Sequence, residues 1–355
     1  MKKLLLPIFL AFTVSAGAQT GGTTSWQFLD LDFNARGMAL GGDYISLRDG
    51  DLDLAVANPA SIQSSMDQNL ALNHFFYPAG INYGQLAFAK NFEKLGTFTS
   101  HLRYASYGRF TRTDYLGNEL GNFTAGEYAL GVGYGHQLNK FFSIGGNVNM
   151  IFSHLDSYTS FGMAADMAVM FHHEDANLSG TLLARNIGYQ FKGYTKKNRE
   201  PIPIEVLAGI SYKFHHAPFR LSITGKDLTN WDLTYNDPTL EPTIDQLTGD
   251  TIPVPRANFI TKLAYHTNFA VEIIPHKSFY LRMGFNFQRR NALGIVDRMG
   301  AGGFSFGFGL NLKKFSFDYG LSIYSVAGVS NALAVTTNFG EWNKGGGKKK
   351  KPPSE

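Results

Sequence analysis

The chain has 355 residues and no cysteine, which excludes disulfide bonds and thiolate metal sites. Charged residues make up only 17%, against about 25% in an average domain, while glycine, phenylalanine and tyrosine number 39, 30 and 17. The net charge of +4 lies at the chain ends: Lys2 and Lys3 carry +2 and residues 341–355 carry +3, which leaves residues 19–340 at about −1. The body of the chain therefore lacks the basic surface of a nucleic-acid-binding domain.

Residues 1–18 are predicted to be a secretory signal peptide. Lys2 and Lys3 precede an apolar stretch from Leu4 to Val14, and Ala16-Gly17-Ala18 supplies small residues for cleavage. The apolar stretch is shorter than the roughly 20 residues that a membrane-spanning helix needs. A buried N-terminal helix would have a similar pattern.

Residues 19–68 show no strand-like alternation and are predicted to form a plug, or hatch, inside a barrel. Residues 35–42 are rich in glycine, and residues 58–61 contain a proline. This residue, Pro59, favours an extended Asn58 followed by a short helical turn. The candidate hatch residues are Arg36, Gly37, Gly41, Gly42, Asn58, Pro59 and Ala60.

The rest of the chain alternates between large apolar and small or polar residues. In 279–288, for example, Leu281 and Met283 fall on one face, and Arg282 and Asn286 fall on the other. A two-sheet sandwich also alternates, but its outer face would be charged, whereas glycine, serine and asparagine dominate here. This pattern predicts an all-β fold, a transmembrane antiparallel β-barrel over residues 69–340 with its apolar side facing lipid.

Fourteen strands are predicted, which agrees with the even strand number of bacterial single-chain barrels. The predicted ranges are 69–77, 81–92, 96–109, 124–138, 141–154, 159–173, 176–190, 202–214, 218–231, 258–274, 278–289, 300–312, 314–324 and 331–339.

The connections between these strands alternate in length. All even-numbered connections are short, and the long ones, about 110–123, 191–201, 232–257 and 290–299, are all odd-numbered. Outer-membrane barrels have short periplasmic turns and longer external loops. We therefore expect a cell outer-membrane location, with the short turns and both chain termini in the periplasm.

The longest loop, 232–257, is predicted to be an external, partner-binding excursion, since its prolines and charges oppose strand formation. The candidate partner-binding residues are Trp231, Tyr235, Asp237, Pro238, Pro253 and Arg256. Basic residues near other loops, such as Arg289, Lys196 and Arg199, are either solvated or able to meet anionic lipopolysaccharide or a protein. Residues 341–355 are predicted to be a disordered basic tail.

No catalytic, cofactor-binding or metal-binding set is predicted, and no cofactor is expected. The pairs His172-His173 and His215-His216 are interpreted as polar turn residues, because neighbours on a strand point to opposite faces. The glycines of 131–135 alternate along a strand instead of leading into a helix, so they are interpreted as sites of close packing and not as a phosphate cradle.

The stretch from Ala35 to Gly42, followed by Asn58-Pro59-Ala60, resembles the N-terminal hatch of the long-chain fatty-acid transporter (FadL-like) superfamily. This resemblance implies a fourteen-stranded barrel with an N-terminal plug.

Within that superfamily the chain resembles the PorQ family of the Bacteroidetes type IX secretion system. The stretches that carry this resemblance are 26–29, 79–84, 94–98, 112–114, 160–166, 198–201 and 216–220. It implies a non-enzymatic component of an outer-membrane attachment complex, which anchors a PorZ-like surface protein beside a PorU-like sortase and a PorV-like barrel.

Two other functions stay open at this stage. One is an outer-membrane transporter of hydrophobic small molecules such as fatty acids. The other is a passive porin, against which the plug and the glycine- and aromatic-rich composition argue.

Overall fold

A computed structural model describes residues 24–196, 198–234, 242–244, 251–252, 254, 257–292, 300–325 and 328–344. Its strands form a closed antiparallel barrel of fourteen strands, as the sequence predicts. The barrel strands are β1 Asn69–Phe76, β2 Asn82–Phe92, β3 Gly96–Thr113, β4 Glu119–Gln137, β5 Phe142–Leu155, β6 Tyr158–His173, β7 Leu178–Lys192, β8 Glu205–Lys213, β9 Phe219–Gly225, β10 Thr267–His276, β11 Phe279–Asn286, β12 Phe304–Asn311, β13 Phe315–Ser325 and β14 Gly328–Asn338.

Each strand pairs with its neighbour in the chain, and β1 closes the barrel against β14. That closing register runs from Asn69 opposite Asn338 to Phe76 opposite Asn331. Closure leaves no free edge within the wall, so the backbone hydrogen bonds of the wall are satisfied by strand pairing.

The two faces of the wall differ as predicted. Leu281 and Met283 are 40% and 48% exposed on the outside of β11, whereas Arg282 between them is 6% exposed inside. Apolar side chains thus cover the exterior, and polar side chains or glycines line the interior. No helix of the described residues is long and apolar enough to span a membrane.

Residues 24–68 form the plug, which fills the lumen with short helices. Its α-helices are α1 Ala35–Ala39 and α2 Leu52–Ala57, and its 3-10 turns are Gln27–Asp30, Pro59–Ser61 and Ser64–Met66. Asn34 caps α1 by accepting a hydrogen bond from the Gly37 amide, and Asp51 caps α2 in the same way. Aromatic and aliphatic plug residues, including Phe28, Met38 and Leu52, are almost fully buried.

Glycines on the inner face let the plug approach the wall. A Cβ at Gly284 would overlap the backbone of Leu40 and Gly41, and a Cβ at Gly145 would overlap the Pro59 carbonyl group. In the stretch 131–135, for which the sequence predicts close packing, a Cβ at Gly135 would likewise overlap Ile62 and the Pro59 carbonyl oxygen of the plug.

The barrel has a short-turn end and a long-loop end. The short-turn end holds the connections 93–95, 138–141, 174–177, 214–218, 277–278 and 312–314, and the long-loop end holds the connections that follow the odd-numbered strands. The predicted alternation of connection length is therefore present in the fold.

One predicted loop is wrong. Residues 110–123 continue β3 and β4 as a paired hairpin with only a short turn between Thr113 and Glu119. A bulge at Gly108, with φ of +86°, and the polar residues beyond it hid the continuation in the sequence pattern.

Two predicted strands are too long at the long-loop end. β9 ends at Gly225, and Phe259–Tyr265 forms helix α3 before β10 begins at Thr267. Asn258 caps α3 by accepting from the Thr261 amide at 2.8 Å, and these residues lie beyond the wall, where no partner strand is available. Phe287–Ala292 is likewise helical, as α4, and Phe339–Lys344 forms α5.

The first described residues and the last described helix lie at opposite ends of the barrel. The Ser25 amide donates a hydrogen bond to the Pro201 carbonyl at the long-loop end, whereas α5 follows β14 at the short-turn end. The plug therefore runs down the full lumen before entering β1. Residues 1–23 and 345–355, with the predicted signal peptide and most of the tail, lie outside the described residues.

Candidate functional site

Arg36 of α1 is the centre of an ionic network that joins the plug to the wall. Its guanidinium donates to both oxygens of Glu272, at 3.1 and 3.0 Å, and also to Asp49 at 2.8 Å and Asp51 at 3.1 Å. The side chains of Arg36 and Glu272 are 6% and 1% exposed. Such charges are stable in a buried site only because each is paired and hydrogen-bonded.

Three strands complete the network around Glu272 of β10. Arg220 of β9 and Arg282 of β11 both donate to this carboxylate, the latter at 3.0 Å, and Arg282 also donates to Asp318 of β13. The strand residues were missed in the sequence analysis. The signal that identifies them is an isolated charge at an inward position of an otherwise alternating apolar strand.

A second network fastens the plug beyond Gly41 and Gly42. Arg185 of β7 contacts Asp43 of the plug at 2.8 Å and Glu205 of β8 at 2.6 Å, and Lys226 lies 3.6 Å from Asp43. Gly41 and Gly42 have φ values of +93° and +94°, which glycine adopts without strain. The two glycines thereby direct the chain from α1 towards Asp43.

Asn58, Pro59 and Ala60 pack elsewhere in the lumen, against β4 to β7. The Asn58 amide group donates to the Ile45 carbonyl at 2.7 Å and to Thr181 at 3.3 Å, while its oxygen accepts from the Ala60 amide. Ser143 donates to the Ala60 carbonyl at 2.6 Å. The predicted hatch residues thus form two separate contacts with the wall, one around Arg36 and one around Asn58.

Two described cavities of the lumen contain charged groups. A cavity of about 30 Å³ is lined by Asp32, Asp53 and Arg103 together with apolar side chains such as Phe33 and Leu54. At the short-turn end a larger pocket of about 270 Å³ is lined by Arg36, Arg282 and other polar residues. An apolar solute could enter either cavity only by displacing paired charged groups.

The long-loop mouth is covered by the connection between β7 and β8. Pro201 accepts a hydrogen bond from the Ser25 amide at 2.9 Å, and Glu200 accepts one from the Ser25 hydroxyl. Tyr194 of the same connection donates to Ser153 at 2.6 Å. The Ser25 bonds tie the start of the described plug to this connection, and the Tyr194 bond ties the connection to β5.

A hairpin projects from this end, and we call residues 107–123 the projecting hairpin. The pairing of β2 with β3 ends at Ser106, and the pairing of β4 with β5 ends at Ala125, so its two strands pair only with each other in the described structure. Seven residues of β3 extend it by roughly 20 Å. Near its tip Tyr115, Leu116 and Leu120 are 95%, 71% and 61% exposed.

Of the candidate partner-binding residues, only Trp231 is described. Its ring stacks on His266 at a centroid distance of 5.2 Å and is 46% exposed. Next to it, hydrogen bonds from Lys262 and Thr234 lower the pKa of Asp232 to about 2. Tyr235, Asp237, Pro238, Pro253 and Arg256 lie outside the described residues.

Comparison with known proteins finds no matching family model and no matching curated protein. Among solved structures, the chain is similar to the Pseudomonas putida toluene transporter TodX, at 12% identity and a TM-score of 0.51, covering 87% of this chain and 99% of that one. A TodX deltaS2 mutant gives 12% identity and 0.52, covering 87% and 100%. A Pseudomonas aeruginosa FadL homologue gives 12% identity and 0.48, covering 86% and 98%.

This likeness establishes the fold. The chain shares the overall fold of the toluene transporter TodX, and its own strands form a closed fourteen-stranded barrel with a helical N-terminal segment inside. The two similar structures with TM-scores above 0.5 are named as a toluene transporter and a monoaromatic hydrocarbon channel.

Proposed function

We propose that this chain is a non-enzymatic outer-membrane anchor of a type IX secretion attachment complex, which holds a PorZ-like surface protein near a PorU-like sortase and a PorV-like barrel. The observation that carries an anchoring role is the filled lumen. The plug spans it, and two buried ionic networks fix the plug to strands β7 to β11 and β13. An anchor needs a rigid, closed barrel, whereas a channel needs a passage.

In this proposal the projecting hairpin binds a partner protein at the cell surface. A two-stranded ribbon is only marginally stable in water by itself, and its open edges and apolar tip invite pairing with another chain. Strand addition to such an edge provides backbone hydrogen bonds, and side chains such as Tyr115 provide apolar contact. A surface protein covering the hairpin would satisfy both requirements.

The region around Trp231 is a second contact in this proposal. Trp231 is half exposed and held in place by His266 and by the ion pair of Asp232 with Lys262. Interfaces are enriched in rigid aromatic side chains of this kind. The remaining loop residues from Tyr235 to Arg256 keep their predicted partner-binding role as part of the proposal.

Capture from native membranes tests the proposed complex. The tagged full-length barrel is expected to retain PorZ-like and PorU-like proteins, and replacing Tyr115, Leu116 and Leu120 by serine is expected to release them. The control replaces Leu95, Leu138 and Leu312, which are 64%, 55% and 66% exposed at the short-turn end, by serine.

Two results would contradict the proposal. One is that the wild-type barrel captures neither partner class. The other is that the hairpin variant retains both partners as well as the wild type does.

Transport of hydrophobic small molecules is the second candidate. It is favoured by an apolar hollow of about 380 Å³ in the wall of β4 to β7, lined by Ile144, Met167, Val169 and Leu182 among others. The similarity to a toluene transporter is consistent with this function. Mass spectrometry of barrels extracted without detergent would detect a bound apolar ligand. Ala184→Phe fills the hollow and is expected to remove this ligand. A wild-type barrel without any bound apolar ligand would count against transport.

A further inference from the structure

Three basic residues lie at the end of β7 and in the connection that follows it, and we call Lys192, Lys196 and Arg199 the basic rim. All three are exposed at the long-loop end. Within the described structure none of them forms an ion pair; Lys192 instead donates to Thr159 at 2.5 Å, and Arg199 donates to the Tyr189 hydroxyl at 2.5 Å. The rim therefore has positive charge available to an external ligand.

The acidic residues closest along the chain and at the adjacent rim are already engaged. Glu200 accepts the hydroxyl of Ser25 inside the mouth, and Asp156 pairs with Arg112 of the projecting hairpin. Both carboxylates therefore already have a partner outside the basic rim.

The turn that carries the rim is tightly closed. Thr195 and Asn198 form a backbone bridge, and a Cβ at Gly193 would overlap the Asn198 carbonyl oxygen. The close approach of Gly193 and Asn198 brings the backbones of their chain neighbours, Lys192 and Arg199, near each other. This closure reduces the conformational entropy that a ligand would have to remove.

Aromatic side chains cover the outer wall directly below the rim. Tyr189 and Phe191 are 53% and 48% exposed, and Phe191 lies 5.9 Å from both Tyr189 and Phe161 between ring centroids. Arg199 lies over the Tyr189 ring at 5.4 Å. Cationic groups thus sit at the boundary where an apolar, lipid-facing surface ends.

We propose that the basic rim binds the phosphate groups of lipopolysaccharide, while Phe161, Tyr189 and Phe191 contact its acyl chains. Lysine and arginine bind phosphate through charge-assisted hydrogen bonds, and the planar guanidinium of Arg199 is already oriented by Tyr189. This lipid site requires the long-loop end to face the cell exterior, as in the proposed function, but it does not require a protein partner.

Native mass spectrometry of full-length barrels, reconstituted in nanodiscs with lipopolysaccharide, tests the site. Lys192→Gln, Lys196→Gln and Arg199→Gln together are expected to reduce bound lipopolysaccharide by at least about tenfold. The matched control, Lys140→Gln, Lys277→Gln and Lys313→Gln, changes three exposed lysines at the short-turn end and is expected to retain it. Arg199→Lys keeps the charge, loses the planar contact with Tyr189, and is expected to bind at an intermediate level.

Heat-modified electrophoretic mobility verifies that each variant is folded. Equal lipopolysaccharide retention by the rim variant and the wild type would overturn the proposal, as would wild-type barrels that retain phosphatidylglycerol and no lipopolysaccharide. Partner capture from native membranes is measured in parallel. Loss of lipopolysaccharide from the rim variant with its partners retained supports the lipid site alone. A wild-type barrel that captures no partner contradicts the proposed function but leaves the lipid result unaffected.

Discussion

Arg36 of the plug and Glu272 of β10 form a buried ion pair with two hydrogen bonds, although 236 residues separate them in the chain. Arg220 and Arg282 share the same carboxylate, so one acidic group holds three guanidinium groups. These contacts therefore exist only when the plug and strands β9 to β11 are in their native positions.

Replacing Glu272 by alanine should destabilise the protein more than replacing Arg36. Glu272→Ala leaves Arg36, Arg220 and Arg282 without their shared carboxylate, and breaking a buried pair costs about 3–5 kcal/mol. Arg36→Ala leaves Glu272 with two other partners and should cost about 1–3 kcal/mol. Urea unfolding in liposomes, followed by tryptophan fluorescence, measures both. Glu272→Gln keeps the shape without the charge; if it were as stable as wild type, the ionic network would not stabilise the plug.

Adding one methyl group at Gly145 should loosen the plug. The new Cβ would overlap the Pro59 carbonyl group, and overpacking typically costs about 1–3 kcal/mol. Limited proteolysis should then cleave plug residues faster in Gly145→Ala than in wild type. Gly180→Ala is the control, because its Cβ would meet its nearest neighbour at 3.7 Å, an ordinary contact. Equal cleavage rates for the two variants would be inconsistent with the described packing of Pro59.

Asn58→Ala should destabilise the plug by about 1–3 kcal/mol, because the carbonyl of Ile45 and the amide of Ala60 would lose buried partners. Hydrogen exchange should increase in residues 45–61 and leave the barrel strands unchanged. Asn58→Asp retains the oxygen that accepts from the Ala60 amide and loses the donor to the Ile45 carbonyl. Hydrogen exchange around Ala60 should therefore increase less than in Asn58→Ala. An increase spread evenly over the strands would argue against a local role.

The wild-type barrel should conduct almost no ions in planar bilayers, since the plug fills the lumen. Moderate urea, at a concentration that releases the plug but leaves the strands paired, should open discrete conductance steps. Closed barrels retain strand structure at denaturant levels that detach a plug held by a few kcal/mol. A steady large conductance without urea would show that the lumen is open, contrary to the described packing.

Cysteine labelling should establish the orientation. The chain has no cysteine, so single substitutions give no background. Tyr115→Cys at the hairpin tip should react with a membrane-impermeant maleimide on intact cells, while Lys277→Cys at the short-turn end should react only after the outer membrane is opened. The reverse pattern would place the long loops in the periplasm and contradict both the proposed partner site and the lipid site.

The strand pattern was predictable from the sequence because each barrel strand has one apolar and one polar face with a period of two residues. Leu281, Arg282 and Met283 show this directly, since exposure alternates where hydropathy alternates. The predicted loop at 110–123 and the predicted strand at 259–265 were wrong. In both segments the chain leaves the wall, so the membrane no longer imposes a period of two residues.

The sequence by itself determined the barrel, its strand number and the existence of a plug, because lipid contact and hydrogen bonding constrain every strand locally. Only the tertiary structure decided which charges meet, as in the pairing of Arg36 with Glu272 or of Arg185 with Asp43. A single charged residue on a strand carries no local information about its partner. That choice depends on the height and direction of each residue in the lumen, which are fixed once barrel register and plug path are set.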